Sequence, residues 1–67
     1  MYPNLRAEQA RLKLRNQDVA NELGLSRAAY EYKKKSGRFD VNESKKLCHL
    51  FGCEFSYLFE SEGEDRK

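Results

Sequence analysis

The stretch Arg15-Asn16-Gln17-Asp18-Val19-Ala20-Asn21-Glu22-Leu23-Gly24-Leu25-Ser26-Arg27-Ala28-Ala29-Tyr30-Glu31-Tyr32-Lys33-Lys34-Lys35 decides how this 67-residue chain folds. Residues 15–23 read as a short helix. Either Arg15 or Asn16 can stand at its start, and Asp18 in the first turn complements the helix dipole. Val19, Ala20 and Leu23 fall on one face of it. Gly24 permits the left-handed conformation that ends a helix. Leu25 is an apolar plug, and Ser26 is a natural cap for the next helix, which runs from Arg27 to about Lys35. Ser36-Gly37 stops that second helix. Only Gly24, Leu25 and Ser26 separate the two, which predicts a tight helical corner.

Outward from this corner the chain continues as helix. Pro3 suits a first-turn position, and Asn4 to Leu14 holds no helix breaker, with Leu5, Ala10, Leu12 and Leu14 as apolar groups. On the other side, Asp40 is expected to cap a fourth helix that turns Val41, Ser44, Leu47, Cys48 and Phe51 inward and ends at Gly52. Ser56 is expected to cap a last turn, Tyr57-Leu58-Phe59. The expected architecture is all-α: a compact bundle of five short helices around one core. Residues 1–60 form the domain, and 61–67 form a polar, flexible tail.

Composition narrows the classes of function. At 67 residues the chain supports one small core, and 39% hydrophobic against 36% charged residues makes it polar but patterned. No run approaches the roughly 18 apolar residues of a membrane span. The start of the chain lacks the basic-then-apolar pattern of a secretion signal. Two cysteines, Cys48 and Cys53, make no disulfide framework, which suits a reduced, cytoplasmic protein. Residues 1–38 carry a net +5 and residues 39–67 a net −3, within a total of +2. The basic half suits a polyanionic partner, although an ordinary solvated surface gives the same pattern.

Catalytic and cofactor chemistry lacks its parts. His49 is the single histidine, and with Cys48 and Cys53 it does not complete a tetrahedral metal site. No nucleophile motif or glycine-rich phosphate loop is present. The acids Glu60, Glu62, Glu64 and Asp65 lie in a polar stretch and read as solvated. The expectation is a protein that is not an enzyme and that carries no metal, no cofactor and no small-molecule ligand.

The segment Val19-Ala20-x-x-Leu23-Gly24-Leu25-Ser26-Arg27 resembles the helix-turn-helix of the lambda-repressor and Cro superfamily, the xenobiotic-response-element family. Asn4-Leu5-Arg6-Ala7-Glu8-Gln9-Ala10-Arg11 looks like the first helix of its short phage and prophage members from Gram-positive bacteria. Phe39, the helix after it and Ser56-Tyr57-Leu58-Phe59 fit the same group, so the likeness spans about residues 4 to 60. It implies a lambda-repressor-like domain that binds double-stranded DNA and regulates transcription. A homodimer on a palindromic operator is implied too, because two recognition helices must sit about 34 Å apart in successive major grooves.

Residue roles follow from the resemblance and from helical geometry together. Arg27, Ala28, Glu31, Tyr32 and Lys35 share a broad face, with Tyr30 turned toward the core. Arg27 is expected to read a guanine through its two-donor fork. Ala28 touches a thymine methyl or simply allows close approach. Tyr32 meets a base edge or a phosphate. Glu31 accepts from a cytosine amine or orients Arg27, the second role being favoured. Arg15, Asn16, Lys33, Lys35 and Arg38 are the expected phosphate contacts, although the lysines also suit the negative end of the helix. The methylene stem of Lys33 is also expected to cover the core.

The chain departs from the family pattern in one place. Many relatives tie the first helix to the third with an arginine–glutamate pair, and the matching positions here hold Gln9 and Lys34. Glu8 is a candidate partner for Lys34 instead. Tyr57 and Phe59 supply a dimer contact or close the monomer's own core. Two rival readings remain: a protein-interaction module of the antitoxin, anti-repressor or adaptor kind, and non-specific binding to nucleic acid. An apolar exposed face on the third helix would signal the first.

Overall fold

Each helix boundary traces to a local hydrogen-bonding device. The computed structural model describes residues 2–60, so the tail expected over 61–67 lies outside the described residues. Among the described residues there are five helices and no strand: α1 (Pro3–Arg11), α2 (Asn16–Leu23), α3 (Arg27–Ser36), α4 (Val41–Phe51) and α5 (Phe55–Leu58).

Helix α1 stops three residues short of Leu14, although no glycine or proline marks the place. Lys13 takes the left-handed conformation, φ 57°, that usually falls to glycine. The Leu14 N–H then bonds back to the Gln9 carbonyl at 3.0 Å and the Lys13 N–H to the Ala10 carbonyl at 3.0 Å, the double closure of a Schellman ending. Buried Gln9 adds a side-chain clasp, donating from Nε2 to the Leu14 carbonyl at 3.1 Å.

Helix α2 starts after Arg15, so Arg15 rather than Asn16 is the residue at its cap. An arginine has no acceptor to offer the free N–H groups. Asp18 works from the other direction, accepting from the Arg15 N–H at 2.9 Å. Gly24, at φ 72°, ends the helix as expected. The Leu25 N–H reaches the Ala20 carbonyl at 2.9 Å, which turns the chain sharply. Ser26 Oγ then accepts from the Ala29 N–H at 3.1 Å and starts α3.

At α4, Asp40 and Glu43 cap each other's backbone N–H groups at 2.7 and 3.0 Å. The last turn differs from expectation. Glu54, not Ser56, precedes α5, and Ser56 sits exposed inside it. The tight closure after α4, Cys53 N–H to Cys48 carbonyl at 3.1 Å, leads the chain straight into the next helix.

The core is Leu5, Val19, Ala20, Leu23, Tyr30, Leu47, Phe51 and Leu58. Helix α2 packs most closely on α3 and also on α4, while α1 and α4 both meet α5. Ala20 is fully buried in α2, so a larger side chain there would have no exposed space to occupy. Three of the expected apolar positions turn outward, and two sit at the edge of the core. Val41 is 69% exposed, because the capping box fixes the first turn of α4 at the edge of the bundle. Leu12 and Ala10 lie on the outer side, since α1 ends before its stripe continues, and Leu14 and Cys48 are half-buried. Tyr2, Phe39, Phe55 and Phe59 make a chain of ring contacts beside the core, with Phe59 within 5.1 Å of Tyr2 and 4.8 Å of Phe55. No helix of the described residues is long and apolar enough to cross a membrane.

Candidate functional site

The N-terminal half of α3 projects a polar face backed by a buried anchor. Tyr30 is completely buried, and its ring lies 6.0 Å from Phe39. Arg27, Ala28, Glu31 and Tyr32 on the same helix are all exposed, Tyr32 by 62%. The four residues expected to read bases therefore lie at the surface, three of them along one side of the helix and Tyr32 beside them. Arg27 Nε stands 3.7 Å from Glu31 Oε2, one helical turn apart. That spacing matches the orienting arrangement expected of Glu31.

The same carboxylate oxygen also accepts from Asn16 Nδ2 at 3.0 Å. Asn16 Oδ1 in turn accepts from Lys34 Nζ at 2.8 Å and from Gln9 Nε2 at 3.0 Å. The Asn16 side chain is thus engaged between α1 and α3. Gln9 is the centre of this network. Its Oε1 accepts from the Tyr30 hydroxyl at 2.7 Å and from Lys34 Nζ at 3.4 Å. Lys34 also stands over the Tyr30 ring, 5.0 Å from its centre.

Gln9 and Lys34 therefore do join α1 to α3, without an ion pair. Glu8 does not take part. It accepts from Arg11 Nε at 2.7 Å and from the Tyr57 hydroxyl at 3.1 Å, on the side facing α5. The Arg11 bond chiefly holds its carboxyl below the usual glutamate range.

The expected phosphate contacts divide. Arg15, Lys35 and Arg38 are exposed. Arg15 leans on Asp18, 3.3 Å away, in a pair open to solvent. Lys33 is turned toward α4, with Nζ 3.1 Å from Glu43 Oε1 and both side chains mostly covered. Its charge is engaged there. Tyr57 is exposed but tied to Glu8, while Phe59 is half-buried among its own chain's rings.

An apolar exposure also lies elsewhere, on α4 and α5. Val41 and Phe55, 69% and 60% exposed, flank a groove of about 530 Å³ that Phe39, Cys48, Asp40 and Lys45 also line. Sequence reasoning missed this patch, because Val41 was expected to point inward. It missed the role of Gln9 as well, although Gln9 lies one turn after Leu5 on the inward face of α1, which was a signal. Among the described residues no set of three His, Cys, Asp or Glu side chains is placed to hold a metal ion, and Cys48 and Cys53 are free thiols.

Comparison with protein-family models, with curated proteins and with solved structures returns no match for this chain.

Proposed function

We propose that this chain is a sequence-specific double-stranded DNA-binding regulator of transcription, of the lambda-repressor and Cro kind that its sequence resembles. It acts in the cytoplasm, without enzymatic activity or cofactor, as a homodimer on a palindromic operator. The observation that carries this reading is the outward face of α3, where Arg27, Ala28, Glu31 and Tyr32 are exposed while Tyr30 anchors the helix from behind. The short turn at Gly24–Ser26 fixes that helix against α2. A helix so held enters a major groove as a rigid element and loses little freedom on binding. Arg27, pre-oriented by Glu31, reads a guanine, and Arg15, Lys35 and Arg38 grip the backbone.

One such helix reads too few base pairs to select a site in a genome, so two copies must act together. The groove beside Val41 and Phe55 supplies the contact between them. A two-fold axis lays a patch on its own copy, so the patch must suit itself. Asp40 and Lys45 on its rim supply one acid and one base, which pair across such an axis. Tyr57 bonds to Glu8 of its own chain, and Phe59 packs among its own chain's rings, against Phe55.

A protein-interaction module is the second reading. It predicts an apolar face on α3, but the only large hydrophobic side chain exposed there is Tyr32, and the apolar patch lies on α4 and α5. Selection of bound sequences from a random duplex pool separates the two. Recovery of a palindromic motif supports the regulator, and a pool with no enriched motif overturns it.

A further inference from the structure

The polar groups between α1 and α3 form a relay of hydrogen bonds with a fixed direction. That direction is set at its inner end. The Leu14 carbonyl can only accept, and it takes Gln9 Nε2 at 3.1 Å. The Lys34 ammonium can only donate, and it stands 3.4 Å from Gln9 Oε1. The Gln9 amide is therefore held one way round, and its Nε2 also meets Asn16 Oδ1 at 3.0 Å. Asn16 Oδ1 takes a second donor, Lys34 Nζ, at 2.8 Å. Two donors on its inner side compel the Asn16 amide to turn its nitrogen outward. There Nδ2 donates to Glu31 Oε2 at 3.0 Å, the same oxygen that faces Arg27 Nε at 3.7 Å. The relay thus runs from buried Gln9, through half-buried Asn16 and Lys34, to Glu31 and Arg27 at the surface. An exposed ion pair one helical turn apart holds an arginine only weakly by itself. Anchoring its carboxylate to the interior restricts the pair further.

We propose that Gln9 and Lys34 are positioning residues for base recognition: through Asn16 they fix Glu31, and Glu31 holds the Arg27 guanidinium in the geometry that reads a base. This role rests on the DNA-binding reading and deepens it. With Nε turned to Glu31, the two terminal nitrogens of Arg27 are left as the parallel donors that guanine O6 and N7 accept. Gln9 is buried, so it acts only through its neighbours. Preference at that base pair is then set in part from α1, a helix outside the reading face.

Asn16→Asp separates positioning from folding. An aspartate there still accepts from Gln9 and Lys34, and it gains an ion pair with Lys34, but it has no donor for Glu31 and repels it. Lys34→Met is the second variant, with an apolar stem of similar length and no donor. Two measurements on the full chain test the relay. In the free protein, nitrogen relaxation at Arg27 Nε should show lower side-chain order in both variants than in the parent. In selection from a random duplex pool, both should relax the preference at one base pair of each half-site, by about threefold to tenfold for Asn16→Asp and less for Lys34→Met. Selection scores relative preference, so a uniform loss of affinity from the added charge leaves it unmoved. Arg27 order unchanged in both variants overturns the proposal. So does a preference that stays at the parent value, or one that relaxes evenly at every position. If the parent chain itself selects no motif, the DNA reading fails and base positioning falls with it. Arg27 order that still depends on Asn16 and Lys34 would then locate the failure in the DNA reading and not in the relay.

Discussion

The Tyr30 hydroxyl donates a 2.7 Å hydrogen bond to Gln9 Oε1, a buried bond that joins α3 to the last turn of α1. Gln9 uses both ends of its amide here. Its oxygen takes Tyr30 and Lys34, and its nitrogen takes the Leu14 carbonyl and Asn16. A satisfied buried amide of this kind fixes one arrangement of three helices, since any slippage leaves several polar groups without partners.

Removing either partner of that bond should destabilise the fold unequally. Tyr30→Phe keeps the ring and loses one hydrogen bond, at a cost of about 1 kcal/mol. Gln9→Ala leaves the Tyr30 hydroxyl and the Leu14 carbonyl without their partner and opens a cavity, so it should cost about 2–3 kcal/mol or more. Urea unfolding of both variants and of the double variant checks the ranking. Costs that simply add in the double variant would mean that the bond does not couple the two helices.

The proposed reading face predicts a graded pair of effects on DNA. Arg27→Ala should lower specific affinity by about 1–3 kcal/mol and blur one base position of the operator. Asn16→Ala, which frees Glu31 from one of its two partners, should cost less and affect that same position. Fluorescence anisotropy on a set of single-base operator variants measures both. An Arg27→Ala protein with unchanged affinity and preference would remove the base-reading role.

Dimerisation should depend on Val41 and Phe55 rather than on Leu58. Phe55→Glu and Val41→Lys place a charge in the proposed contact while touching little of the monomer's core. Sedimentation on a palindromic duplex should then find one copy bound where the parent chain binds two. Leu58→Ala is expected instead to lower the melting point, because Leu58 is fully buried. Two copies of Phe55→Glu on the duplex would place the interface elsewhere.

Acid should weaken the fold in part through Glu8 and Asp18. Hydrogen bonds from Arg11 hold the Glu8 carboxyl below its ordinary pKa of 4.5, and the Arg15 backbone and side chain do the same for Asp18 below 3.8. A carboxylate depressed in the folded state stabilises it above the unfolded pKa, and the benefit fades as pH falls through the folded value. Stability should therefore drop below about pH 4.5. Glu8→Gln should show a flatter acid limb in melting point against pH. Asp18 is partly exposed and the Arg11 partner of Glu8 is open to solvent, so the effect is small and screened by salt.

Backbone conformation at the corner gives a last prediction. Gly24→Ala should cost about 1 kcal/mol through its left-handed backbone alone, because an added Cβ there meets nothing within 4 Å. Lys13→Gly should come close to neutral, the relief at a φ of 57° being offset by a more flexible unfolded chain. Thermal melts separate these from any packing effect, which would appear as a much larger loss.

The elements that rest on local chemistry were legible in the residues themselves. Ser26 and Asp40 cap the helices they were expected to cap, Gly24 and Gly52 end the helices before them, and Val19, Ala20, Leu23 and Tyr30 face inward, because each depends on groups only a few positions away. The exposed face of α3 was readable for the same reason. Tertiary structure alone decided what depends on distant partners. Gln9 became a junction because Tyr30, Lys34 and Asn16 arrive from two other helices. Lys33 turned to Glu43, and Glu8 turned away from Lys34 to Tyr57. Val41 stayed in the open while Arg6 and Lys35 came to share one cleft. A side chain's hydrogen-bonding capacity is written in its type, but which donor or acceptor reaches it is set by how whole helices pack, and that packing answers to the entire core at once.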